Sequence, residues 1–262
     1  MSTLTPAVIF TSGHKGGPGK STFSRGLIDY YRARGITTSA YDADASTESL
    51  AQYLGLRGPD GRILDEQDPT KGVETFNVRN PDQKTMLLDI AGRQTARIVV
   101  DLPGGGVEDV AEVLTSTDRF FQVFEDAGVT PIVAIIFSNV KASIASVPGT
   151  IQLFGPRPRY VAVKNMAFGP EFPTFDGVTE NGTLRYQGAK RALTTVGGQI
   201  MEMPKIDSTT YGRLDLYDLS FADAVNAPQL RMTDRERIKL WRTDFAAALE
   251  GTILAVPAEV LA

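Results

Sequence analysis

Gly13-His14-Lys15-Gly16-Gly17-Pro18-Gly19-Lys20-Ser21-Thr22 is the stretch that decides the fold. A glycine-rich loop of this kind lets backbone N–H groups surround a polyphosphate. The lysine that follows reaches the β- and γ-phosphates, and the serine hydroxyl can ligate Mg²⁺. Gly16, Gly17, Gly19, Lys20, Ser21 and Thr22 are thus the expected nucleotide cradle. Lys15 is an extra cation in a loop whose phosphate-reaching lysine is already supplied by Lys20.

The flanks place the loop. Ala7-Val8-Ile9-Phe10-Thr11 is a short apolar, β-favouring run, as a buried parallel strand should be. After the loop, Phe23, Leu27, Ile28 and Tyr31 recur at helical spacing, and Gly35 supplies a stop. The loop therefore joins a strand to a helix N-terminus, whose dipole adds to its attraction for anions. The strict Gly-x4-Gly-Lys-[Ser/Thr] pattern asks for glycine at position 14, where the chain has His14, its only histidine. With no cysteine and no second histidine to join it, His14 reads as shaping the loop or lying near a subunit contact.

Lys15-Gly16-Gly17-Pro18-Gly19-Lys20-Ser21 resembles the deviant Walker A motif of the ParA/MinD superfamily of ATPases. Tyr41-Asp42-Ala43-Asp44 resembles its Asp-x-Asp switch I segment. Ile98-Val99-Val100-Asp101-Leu102-Pro103 resembles its Walker B and switch II segment. Tyr160-Val161-Ala162-Val163-Lys164-Asn165 is similar to the strand that ends in a base-contacting asparagine. The resemblance spans residues 7–205 and is closest in pattern to small ParA-type partition and mobilisation ATPases without an N-terminal helix-turn-helix domain.

The residues have physical roles to match. Asp101, at the carboxyl end of a buried strand, faces the crevice where α/β sheets bind ligands, and there a carboxylate can hold Mg²⁺ opposite Ser21. The alternative is a strand-end aspartate that caps the next loop. Asp42 and Asp44 alternate along an extended segment, so their side chains point to opposite sides. The resemblance implies that Asp44 positions the attacking water and that Asp42 supports the metal or the phosphate loop, against the alternative of a solvated turn. It also implies that Asn165 contacts the adenine edge, although an ordinary turn asparagine reads the same way. Lys15 is implied to act in trans, two protomers closing face to face around two ATP molecules so that each Lys15 touches its partner's nucleotide. Dimerisation would then depend on ATP, with Lys15, Lys20 and Asp44 as the catalytic set.

At 262 residues, with no composition break, the chain reads as a single domain over 1–262. Strand-like runs at 7–11, 38–42, 97–102, 131–137, 160–164 and 199–203 alternate with helix-like segments, which predicts an α/β fold with a doubly wound, mostly parallel sheet. The absence of cysteine excludes disulfides and cysteine-ligated iron–sulfur clusters and fits a cytoplasmic protein. No apolar run is long enough to span a membrane, and the apolar tail from Gly251 to Ala262 carries Pro257 and no basic face, so it is expected to pack on the domain or be disordered.

The net charge of −4 rules out a uniformly basic nucleic-acid binder. Thr233-Asp234-Arg235-Glu236 resembles a capping box that opens a helix, along which Ile238, Trp241, Phe245 and Leu249 form an inward stripe. Arg231, Arg235, Arg237, Lys239 and Arg242 lie mostly off that stripe and are candidates for nonspecific DNA contact through counterion release. The alternative is a solvated face partly paired with Glu236 and Asp244. Residues 57–84 show little periodicity, and Phe168, Phe172 and Phe175 read either as loop anchors or as a docking surface.

Two functions of different class follow. One is a ParA-like ATPase, a Mg-ATP-dependent dimer switch that positions plasmid DNA or another large cargo and is stimulated by a partner protein. The other is a metabolic ATP-dependent ligase of the same superfamily, dethiobiotin-synthetase-like or cobyrinate-synthase-like. A nucleotide-binding scaffold with little hydrolysis is a third, against which Asp44 argues.

Overall fold

The computed structural model describes residues 4–14, 17–44, 50–83, 85–105, 110, 120–181 and 183–261. Its centre is a seven-stranded parallel sheet built from β1 (Ala7–Gly13), β2 (Thr38–Asp42), β3 (Glu74–Thr75), β4 (Arg97–Asp101), β5 (Thr130–Phe137), β6 (Arg159–Asn165) and β9 (Gln199–Met203). The strand order is β3-β2-β4-β1-β5-β6-β9. All six expected strand runs are present, shifted by two residues or fewer at their ends. The pairs are parallel throughout, as crossover connections require.

β1 is buried along its whole length, and its alternating side chains feed two apolar layers. Val8 and Phe10 face one layer, where Phe10 meets Phe120, Phe121 and Phe124 of α3 (Phe120–Asp126). Ala7 and Ile9 face the other, with Phe23, Leu27 and Ile28 of α1 (Lys20–Arg32) and the stripe of α8 (Met232–Glu250). α2 (Ala51–Leu54), α6 (Ser208–Leu216) and α7 (Phe221–Ala224) pack on this second side. The expected stripe of Ile238, Trp241, Phe245 and Leu249 is buried, with Trp241 centred 4.4 Å from Phe221 and 5.0 Å from Phe245. α1 and α8 approach closely because Gly26 lies between them. A Cβ there would sit 2.9 Å from the Trp241 ring.

Two expectations need amendment. The capping box at Thr233–Glu236 does not form. The helix begins earlier, at Met232, and Arg231 occupies the N-cap with no side-chain cap. Asp234 turns inward instead because two partners await it, the Thr210 hydroxyl at 2.9 Å and the Arg213 guanidinium, both on α6. Residues 57–84 also contain order that periodicity did not show: an isolated bridge between Arg57 and Ile63, and β3, which extends the sheet beyond β2. A strand this short offers little edge for unwanted pairing. Finally, a two-stranded hairpin, β7 (Val178–Glu180) with β8 (Thr183–Arg185), follows the aromatic segment. Phe172 and Phe175 are buried against Phe137, whereas Phe168 is 48% exposed.

The tail folds back on the body. Leu254 and Val256 are buried, Tyr31 donates to the Leu254 carbonyl at 2.8 Å, and the Val256 N–H reaches the Tyr30 hydroxyl at 3.1 Å. Among the described residues, no helix is long and apolar enough to cross a membrane.

Candidate nucleotide site

The loop after β1 lies at the carboxyl ends of the strands, where α/β sheets place their ligands. The first intrahelical bond of α1 runs from the Phe23 N–H to the Gly19 carbonyl at 2.9 Å, so the helix opens at Lys20 with its amino end towards the loop. Gly19 has φ +94°, and a Cβ on it would lie 2.3 Å from Asn165 Nδ2. Only glycine fits there. Lys15 and Gly16 lie outside the described residues.

Asp101 organises the site. At the end of β4 it is 2% exposed and gathers hydroxyls. Its Oδ1 accepts from Thr11 at 2.6 Å and Ser24 at 3.0 Å, and its Oδ2 accepts from Ser21 at 2.8 Å. The Lys20 ammonium is 3.5 Å from Oδ1. Ser21 and Asp101 are thus brought together as the motif implied. Thr11 and Ser24 were not anticipated, although Thr11 pairs with Asp101 in the β1–β4 register and is buried beside it.

Asp42 ends β2 in register with Asp101. Its carboxylate accepts the Asp44 N–H at 3.0 Å and the Leu50 N–H at 2.8 Å. Burial first, and the Asp101 charge second, push its pKa up, while the two N–H groups and Lys20 act the other way. Asp42 therefore holds the backbone that follows β2. Asp44 forms an isolated bridge with Asn77 just beyond the strand end.

A cavity of about 570 Å³ opens beside the loop. Gly17, Gly19, Lys20, Ser21, Thr22 and Asn165 all line it, so the structure collects the described cradle residues around one space. Asn165 donates from Nδ2 to the Pro18 carbonyl at 2.8 Å and accepts the Ala167 N–H at 3.0 Å. One N–H and one lone pair are left over for a ligand. Phe168, Met203, Pro204, Lys205 and Tyr211 complete the wall. Phe168 read only as a loop anchor or docking surface, and Met203, Pro204, Lys205 and Tyr211 carry no motif: they end or follow β9 or sit on α6.

The basic residues of α8 are largely engaged. Arg242 Nε contacts Asp29 of α1 at 2.7 Å, Arg237 contacts Asp207 at 3.0 Å, and Lys239 contacts Glu236 at 2.7 Å. Arg242 is thus a brace between two helices. Arg231 is exposed and Arg235 half-buried.

No curated protein matches the sequence. Among solved structures the chain is similar to the cell division ATPase MinD of Pyrococcus furiosus, at 15% identity over 91% of this chain and 98% of that one, with a TM-score of 0.51. It is also similar to the MinD cell division protein of Aquifex aeolicus, at 14% identity over 96% of this chain and 98% of that one, with a TM-score of 0.49. At this identity the Pyrococcus likeness is one of fold. The family model CbiA, the CobQ/CobB/MinD/ParA nucleotide binding domain, matches residues 9–172, a span that holds the loop, both aspartate segments and Asn165. With this match over more than half of its length, and with a parallel sheet and a glycine-rich loop at the strand ends, the chain belongs to the CobQ/CobB/MinD/ParA family of nucleotide-binding domains.

Proposed function

We propose that residues 1–262 form one ParA-like ATPase domain, a Mg-ATP-dependent dimer switch that positions plasmid DNA or another large cargo. Hydrolysis is slow and stimulated by a partner protein. The observation that carries this reading is the Ser21–Asp101 pair, a hydroxyl and a carboxylate 2.8 Å apart at the mouth of a phosphate loop. Such a donor set suits Mg²⁺, which prefers oxygen ligands and keeps water and phosphate oxygens for the rest of its shell. When bound, the cation supplies neutralisation of phosphate charge.

The chain's own groups divide the remaining work. Lys20 trades its contact with Asp101 for the β- and γ-phosphates, and Gly17, Gly19 and Thr22 surround the phosphate chain. Asn165 offers its leftover N–H and lone pair to the base edge, beside the Phe168 ring. Asp44 orients the attacking water, and Lys15 reaches the partner's nucleotide. Phosphoryl transfer asks little beyond such positioning and charge neutralisation. Nonspecific DNA contact falls to Arg231, Arg235, Arg237 and Lys239, of which Arg237 and Lys239 exchange their carboxylate partners for phosphates.

Light scattering tests the switch. ATP with Mg²⁺, but not ADP, is expected to convert monomer to dimer, and Lys15→Ala should abolish the conversion while retaining nucleotide binding. An ATP-driven dimer unchanged in that variant removes the trans role.

One observation favours the ligase reading. On the other side of the loop a cavity of about 850 Å³ is lined by Gly13, His14, Gly105, Ala142, Ser146 and Thr150. That size suits a small-molecule substrate next to the phosphates. Phosphate release that depends on an added small carboxylate would replace the switch by this reading.

A further inference from the structure

Thr22 is the third residue of α1 and lines the 570 Å³ cavity. Its hydroxyl is already engaged: Thr22 Oγ1 and Tyr211 Oη lie 2.9 Å apart, although 189 residues separate them in sequence. Each hydroxyl has a single proton, so only one of them donates across this contact. If Thr22 donates, it has nothing left for an anion. If Tyr211 donates, the Thr22 proton is free to point into the cavity.

Arg25 decides between these arrangements. It sits one turn further along α1, is 1% exposed, and its guanidinium carbon lies 5.8 Å from the centre of the Tyr211 ring. Rings enclose it: Tyr53 at 3.5 Å and Phe221 at 4.7 Å, with one N–H given to the Leu219 carbonyl at 2.9 Å. Among the described residues no carboxylate lies within ion-pair distance of it. Its Nε and Nη1 are buried with no geometric hydrogen-bond partner, and the Asp215 carboxylate acts on it only from beyond ion-pair distance, while the Tyr211 hydroxyl lies near enough to favour the charged form. The ring fixes the phenol oxygen, but its O–H rotates, and beside a cation the proton turns away from the charge, towards its other neighbour, Thr22.

We propose that Tyr211 is a positioning residue for nucleotide binding: held by the Arg25 cage, it donates its proton to Thr22 and so leaves the Thr22 hydroxyl as a donor to a phosphate oxygen. The inference rests on the nucleotide reading given above and deepens it. It assigns α6 a part in phosphate affinity, and through Tyr53 it links that affinity to the segment that follows β2.

Binding of a fluorescent ATP analogue with Mg²⁺ to the full chain, measured by titration, tests this. Tyr211→Phe removes one oxygen and keeps the ring over Arg25. It should weaken binding about 2- to 10-fold, because Thr22 keeps its own proton but loses the partner that holds that proton towards the phosphate. Its melting temperature without nucleotide should stay within about 2 °C of the parent. Thr22→Val should weaken binding at least as much, and the double variant should be no worse than Thr22→Val alone. A merely structural role would lower the melting temperature and leave the two effects additive. Parental affinity in Tyr211→Phe, or additivity in the cycle, overturns the inference while the nucleotide reading stands. No binding by the parent chain overturns that reading, and this inference with it.

Discussion

Asp42 and Asp101 stand opposite one another at the ends of β2 and β4, in register across a parallel ladder. Three hydroxyls serve Asp101, from Thr11, Ser21 and Ser24, whereas two backbone N–H groups serve Asp42. Side-chain donors surround the first carboxylate; the second has main-chain donors and its neighbour's field.

That asymmetry sets a pH dependence. Burial and then the Asp101 charge raise Asp42 from 3.8 to about 7, so the folded chain holds this proton more tightly than the unfolded chain does. Its contribution to stability therefore falls as pH rises between those values and is level above them. Asp42→Asn should flatten the decline in urea midpoint across that window. An unchanged slope in the variant counts against the raised carboxyl.

Asp101→Ala should be costly in two ways. It strips the acceptor from the buried Thr11 and Ser24 hydroxyls and from Lys20, for about 2–4 kcal/mol measured by urea unfolding. Asp101→Asn keeps the shape and most of the stability. Mg²⁺ should then no longer strengthen ATP binding, as calorimetry with and without the cation would show.

Gly19→Ala tests the loop's fit. At φ +94° the new Cβ adds backbone strain of about 1 kcal/mol and displaces the Asn165 amide, breaking its bond to the Pro18 carbonyl. Nucleotide binding should fall below detection although the chain stays folded by circular dichroism. Retained affinity would mean that Asn165 and the loop move apart without consequence.

Asp234→Ala separates α6 from α8. Burial pushes this carboxyl up, yet the hydrogen bonds from Thr210 and Arg213, together with the Arg213 charge, outweigh it and hold Asp234 below the usual carboxylate range. A group bound more tightly as its anion contributes stability above its unfolded pKa of 3.8 and loses it as pH falls through the lower, folded value. The variant should lose about 1–3 kcal/mol, since the partly exposed Arg213 can turn to solvent, and show a shallower acid transition. A neutral effect in urea unfolding would mean that Arg213 finds solvent without penalty.

Much of this was legible in the sequence because it is local. Apolar runs mark the buried strands, Phe23, Leu27, Ile28 and Tyr31 mark the inner face of α1, and the loop states its own chemistry. The Asp42–Asp101 pairing was not legible, because it depends on β2 lying beside β4, an order only the folded sheet fixes. What stayed hidden depends on residues far apart in the chain. Tyr211 carries no motif and meets Thr22 only because α6 docks beside α1. Asp234 looked like part of a helix start, since the sequence cannot show that Thr210 and Arg213 wait for it. β3 pairs along two residues, too few for any periodicity to register.

The place of β1 in the sheet also bears on how the chain is made. Its two neighbours are β4 and β5, and the second of these extends to Phe137. At about 5–20 residues per second, a nascent chain carries this central strand with at least one flank open for roughly 6 to 25 seconds. During that interval the future centre of the molecule is a sticky ribbon, and guarding it falls to whatever attends the ribosome.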